Sequence, residues 1–158
     1  MKKVDYMSVA DEAMAKIKMG VFLTVKAGER LNTMTIGWAT IGYCWQKSIF
    51  MIMVRNSRHT FSIIEDAADF TVSIPALDMK NAIMYCGTQS GRDVDKFKEL
   101  GMETKAGQQT DSPIIDLPGL HFECRIVHKS AMDPQFLVES YQHFYPEKTF
   151  IRCTMGKL

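Results

Sequence analysis

Residues 48–54 place the tightest limit on what this chain can fold into. After Ser48 the apolar side chains run unbroken, Ile49-Phe50-Met51-Ile52-Met53-Val54. A strand wetted on one face alternates apolar and polar residues, whereas a continuous run needs cover on both faces. That pattern fits a barrel wall with a helix laid over it. The covering helix is predicted directly afterwards, over residues 58–67, where Phe61, Ile64, Ala67 and Ala68 recur at helical spacing.

The remaining segments supply a barrel's other walls. Residues 21–25 read as a short apolar strand, residues 33–41 as a β-branched and aromatic strand leading to a bend at Gly42, and residues 70–74 as a strand closed by Pro75. Residues 120–129 alternate, with Leu120, Phe122, Cys124, Ile126 and His128 on one side. Residues 138–144 and 150–155 read as two further strands. Helices are expected over residues 9–19, opened by a capping box from Ser8 to Asp11, over 79–84, and over 94–100, where Asp93 is placed to cap and Gly101 to stop. Residues 87–92 read as a polar loop, and residues 107–118 as a long surface excursion. Strands with short helices inserted, without regular βαβ alternation, argue for a small, mainly β, α+β barrel in one domain over 1–158. No Gly-x-Gly-x-x-Gly opens a helix, which disfavours a Rossmann unit.

Composition removes several function classes. A net charge of +1 gives no electrostatic case for nucleic acid or a membrane surface. No apolar run reaches the roughly 18 residues that span a bilayer. An apolar stretch of the kind found in export signals does not follow Met1-Lys2-Lys3. Cys44, Cys86, Cys124 and Cys153 lie far apart without a Cys-x-x-Cys pair, a pattern that suits free thiols in the cytoplasm and not a zinc site. The 12 methionines suit core gaps or a dimer surface.

Two polar runs flank the apolar strand. Asn32-Thr33-Met34-Thr35 leads to Gly37-Trp38, and Arg55-Asn56-Ser57-Arg58-His59-Thr60 opens the predicted helix. The second run offers charge-assisted donors for a phosphate: Arg55, Ser57, Arg58 and Thr60. The first offers small polar groups and backbone N–H groups to a flat heterocycle, with Trp38 for its face. Together they suit flavin mononucleotide. Each run also has a plain structural reading. Ser57 would cap the helix while the arginines stand in solvent or pair with Glu65 and Asp66, and Asn32-Thr33 would be a turn that starts a strand, with Trp38 in the core. A third run, Ser90-Gly91-Arg92-Asp93-Val94-Asp95-Lys96, reads either as a capped surface helix or as a source of a cation, Arg92 or Lys96, for the ligand's anionic part. No spacing of Cys, His and acid sets up a nucleophile, and no catalytic side chain or metal ligand is assigned.

These runs, with Ile63-Ile64-Glu65, Phe70-Thr71-Val72-Ser73-Ile74-Pro75 and Phe97, resemble the flavin reductase-like proteins of the FMN-binding split-barrel family, the flavoredoxin branch above all. The resemblance implies a six-stranded Greek-key split barrel with short peripheral helices, forming a homodimer with FMN near the interface. It implies that Asn32, Thr33, Met34 and Thr35 line the ring and ribityl region beside Trp38. Arg55, Ser57, Arg58 and Thr60 would hold the phosphate, and Lys96 would be a further contact. Reduced nicotinamide would deliver hydride to the flavin, which passes electrons to free flavin or a protein acceptor. The alternative is a flavoredoxin-like electron carrier without nicotinamide turnover. Many relatives have Pro-Pro before the third strand, where this chain has Cys44-Trp45-Gln46-Lys47.

Overall fold

A two-residue link shapes the sheet. The computed structural model describes residues 2–145 and 151–158. Its strands are β1 (Val21–Ala27), β2 (Arg30–Ile36), β3 (Ala39–Cys44), β4 (Lys47–Arg55), β5 (Asp69–Pro75), β6 (Thr104–Lys105), β7 (Ile114–Ile115), β8 (Gly119–Ala131) and β9 (Ile151–Lys157). Seven form one sheet in the order β2-β1-β5-β8-β9-β4-β3, and β6 pairs with β7. Every pairing in the large sheet is antiparallel. Its two end strands, β2 and β3, are separated in sequence by Gly37 and Trp38 alone, so the sheet must curl until its ends meet. The architecture is that of a split barrel, with nine strands among the described residues in place of the expected six. One reason is that the strand expected over 33–41 is two strands, broken at Gly37-Trp38, with Gly42 inside β3 opposite Ile49.

The barrel interior is apolar. Leu23, Phe50, Ile52, Val54, Phe70, Val72 and Ile74 are fully buried there. Ile63 and Ile64 of α2 (His59–Ile64) and Ala13 and Ile17 of α1 (Ala10–Ile17) pack against them. The apolar run of β4 is buried on its inner face, but Met51 and Met53 are only half-buried. The strand covered on both faces is β5, with all seven residues buried. Its cover includes the segment over 107–118, which is less of a surface excursion than expected. Asp69 accepts N–H bonds from Asp111 and Ser112, both 2.9 Å. The Thr71 hydroxyl donates to Pro113 O at 2.6 Å, and Ile114 and Ile115 are buried. Outside β1, Phe22 packs with Ile115 and Cys86. Cys86 belongs to α3 (Lys80–Thr88), which extends into the expected loop, and α4 (Lys96–Leu100) packs beside it through Phe97 and Leu100.

Other local expectations change with tertiary context. Ser8 donates to Asp5 O at 2.6 Å and does not cap α1. Asp95, not Asp93, caps α4, and Gly101 ends it at φ 58°. A bulge between Ile126 and His128 turns His128 outward. Residues 138–144 are not a strand: they include α5 (Glu139–Gln142), and Val138, Tyr141 and Phe144 are exposed and pair with no strand among the described residues. Of the strand expected over 150–155, Phe150 lies outside the described residues. Trp45 and Gln46 form the tight β3–β4 turn at φ 50° and 57°, the mirror-image type that matches strand twist.

Candidate functional site

The link that closes the sheet also opens a cleft. The Met53 N–H donates to Trp38 O at 3.1 Å, drawing the ends of β2 and β4 together. Beside this contact is a cleft of 500 Å³ lined by Met34, Thr35, Ile36, Gly37, Trp38, Met53, Arg55, Ser57 and Arg58. That is ligand-sized. Six of the residues singled out from sequence meet in its wall: Met34, Thr35, Trp38, Arg55, Ser57 and Arg58. The Arg55 guanidinium lies over the Trp38 ring at 5.0 Å, a cation–π contact. Phe144 meets the same indole edge-on at 5.7 Å.

The cations of this cleft lack carboxylate partners. Asp66 pairs with Arg30 at 2.6 Å, and Glu65 with Arg152 at 2.7 Å. Neither joins Arg55 or Arg58, and no ion pair among the described residues involves those two. Arg58 is exposed and donates to the Gly87 carbonyl at 2.7 Å. It is the N-cap of α2, where no side chain caps the helix, Ser57 included. Arg92 donates to Ser57 O at 3.2 Å.

The other four predicted site residues form the frame behind the cleft. Asn32 is 4% exposed and donates to the Thr60 hydroxyl at 2.8 Å; Thr60 is itself fully buried. The Thr33 hydroxyl donates inward to Leu23 O at 3.2 Å. Lys96 is 3% exposed, and its ammonium donates to Thr33 O at 3.0 Å and Cys86 O at 2.9 Å. Thr35 also ties β2 to α3 by donating to Ile83 O. Burial pulls the Lys96 pKa down, and Arg58 adds to that pull. Burial pushes the Cys86 thiol up to about 11, against the opposing effect of Lys96.

A second cleft, of 570 Å³, lies along β2 and α4 and is lined by Glu29, Asn32, Gly91, Arg92, Asp93, Asp95 and Lys96 among others. His59 stands at the seam. A Cβ on Gly91 would come within 2.3 Å of Asn32 Oδ1 and 2.8 Å of His59 Cδ2, so glycine permits this approach. His59 is held below its usual pKa by burial, then by Arg92, Lys96 and Arg30, with Asp93 opposing. The sequence reading passed over Met53, although it lies two residues from Arg55 on the same strand face, a spacing that could have revealed it. The Cys44–Lys47 turn is not in the lining of either cleft; its Trp45 ring meets His128 at 6.2 Å. No cluster of His, Cys, Asp or Glu among the described residues is arranged to hold a metal ion.

The family model for the Flavin reductase like domain matches residues 14–140. An uncharacterized protein of Archaeoglobus fulgidus is 26% identical over 106 residues, which is 67% of this chain and 59% of that protein. Flavoredoxin of Desulfovibrio vulgaris (Miyazaki F) superposes with a TM-score of 0.68 at 23% identity, covering 87% of this chain and 65% of that one. The FMN-binding protein from Thermus thermophilus, solved with bound 1-cyclohex-2-enone, superposes with a TM-score of 0.67 at 19% identity, covering 88% and 66%. This chain spans less than two thirds of the length of the curated relatives it matches. At these identities the superpositions speak for the fold.

Proposed function

We propose, from the premise that this chain belongs to the flavin reductase like domain family, that it is an FMN-binding oxidoreductase. One observation carries the reading: the Trp38 cleft sets the flat Trp38 indole and the Met34 and Met53 side chains beside two guanidiniums without carboxylate partners. Met34, Met53 and Trp38 suit the faces of a planar ring. As an end strand, β2 leaves half of its backbone groups without a strand partner, and these can meet the ring's polar edge. Arg58, Ser57 and Arg55 suit a phosphate dianion. Asn32, Thr33, Thr60 and Lys96 hold that wall from behind. When bound, FMN supplies the hydride chemistry, while the protein binds, orients and shields it.

Reduced nicotinamide is the proposed electron donor, with free flavin or a redox protein as acceptor. The Thermus neighbour is an FMN-binding protein, which supports FMN as the flavin. Exposed Tyr43 and Trp45 on the β3–β4 hairpin support a homodimer. The cysteines, all free, suit the reducing cytoplasm, and no helix among the described residues is long and apolar enough to cross a membrane. The deciding experiment titrates the apoprotein with FMN, then mixes the complex with NADH or NADPH in a stopped-flow instrument. Binding followed by bleaching of flavin absorbance is expected. Binding without bleaching by either donor would replace the reductase with an electron carrier, and no binding would remove both.

A further inference from the structure

We propose that Lys96 is an internal positioning cation, acting on a flavin in the Trp38 cleft through the Thr33 carbonyl and its own fixed charge, without touching the phosphate. The proposal rests on the reading of that cleft as an FMN site. Its basis is the cost of the arrangement. An ammonium that is 3% exposed needs a strong reason to stay buried. Its observed partners are two neutral carbonyls, Thr33 O and Cys86 O. No carboxylate among the described residues pairs with it. Cys86, with a thiol pKa of about 11, is neutral at neutral pH and supplies no counter-charge. Lys96 is also the first residue of α4, where the helix dipole disfavours a cation. Burial and the helix dipole both oppose it, and the two carbonyl hydrogen bonds are what hold it there.

What the position provides is a clamp on the site strand. Lys96 joins Thr33 of β2 to the last turn of α3, and Thr35 makes a second tie between the same two elements through Ile83. With two of its three N–H groups engaged inside the fold, the ammonium is held in the interior, tied to the site strand. In that low-dielectric setting its charge reaches further than a solvated one would. Hydride transfer from reduced nicotinamide breaks a C–H bond of the donor and brings two electrons and one proton to the ring. The bound flavin therefore gains one negative charge as the donor becomes oxidised nicotinamide. A fixed positive charge tied to the strand that walls the cleft would favour that product.

The test compares Lys96→Met, which removes donors and charge, with Lys96→Gln, which keeps amide donors for the two carbonyls but carries no charge. FMN and riboflavin affinities and the bound flavin's midpoint potential are measured for each. The Met variant should weaken FMN and riboflavin by the same factor. The Gln variant should bind both nearly as the wild type does while its midpoint potential moves to a more negative value. If the Met variant fails to fold, as judged by far-UV circular dichroism, the Gln variant decides alone. A loss confined to FMN would make Lys96 a phosphate ligand and overturn the proposal, as would an unchanged potential in the Gln variant. Absence of flavin binding by the wild type would instead remove the FMN reading and this proposal with it.

Discussion

Two clefts of similar size share strand β2, and their charges differ. The Trp38 cleft, 500 Å³, has Arg55 and Arg58 in its wall and no carboxylate. The α4 cleft, 570 Å³, sets Arg92 and Lys96 against Glu29, Asp93 and Asp95. Volume alone would favour the second. A phosphate dianion there would face three carboxylates, whereas in the first it meets guanidiniums that lack acidic partners. Charge balance and the flat indole therefore select the smaller cleft. The comparison also shows why a run of basic residues in sequence is a weak signal by itself: Arg30 and Arg152 are as basic as Arg58, but their charges are taken up by Asp66 and Glu65.

The largest effect expected from this contrast is at Arg58. Arg58→Ala should lower FMN affinity by more than about tenfold, since a hydrogen bond to a charged group is worth roughly 1.5–3 kcal/mol. Riboflavin, which has no phosphate, should bind as before. Asp93→Asn in the other cleft is the control and should leave the FMN titration nearly unchanged. Equal losses of FMN in both variants would erase the distinction between the clefts. Next in size is Trp38→Ala. Aromatic pairing is worth roughly 0.5–1.5 kcal/mol beyond area burial, so both FMN and riboflavin should bind several-fold more weakly. A loss seen for FMN alone would mean that Trp38 serves the site only by seating Arg55 over its ring.

The strongest parts of this design were open to sequence reading because they are local. β1, β4, β5 and β8 announce themselves by apolar and β-branched side chains, and Gly101 ends its helix through a positive φ that glycine adopts readily. The two polar runs that build the Trp38 cleft also stand close to the strand between them. What stayed hidden depends on distance. Lys96 and Thr33 are separated by 63 residues, and no spacing rule reveals that a lysine in a polar run ends in the interior. The break at Gly37-Trp38 was missed because strand-favouring residues, Thr35-Ile36 and Thr40-Ile41, stand on both sides of it; closing the sheet, not local preference, divides β2 from β3. Residues 138–144 carry strand-like Val, Tyr and Phe, but those side chains find no sheet to join, so tertiary context overrides propensity. Ser8 and Asp11 have the letters of a capping box, but the Ser8 hydroxyl turns back to Asp5 instead.

The smallest expected effect tests the seam between the clefts. His59 is surrounded more by cations than by acids. Burial is the main cause of its depressed pKa, followed by Arg92, Lys96 and Arg30, with Asp93 opposing. The folded protein therefore takes up this proton at a lower pH than the unfolded chain, whose histidine titrates near 6.5. Below that pH the unfolded state binds more protons, so the stability contribution present above about 6.5 is lost as pH falls toward the folded pKa. His121, also depressed chiefly by burial, adds a slope of the same sign, so the wild-type melting temperature should decline between roughly pH 7 and 5. His59→Gln should flatten part of that decline and leave the part due to His121. A dianion seated against Arg58 would offset the cations around His59 and raise its pKa. Saturating FMN should then flatten the wild-type decline more than it flatten that of the variant. If ligand changes both slopes equally, His59 does not sense the Trp38 cleft, and the two clefts are electrically separate.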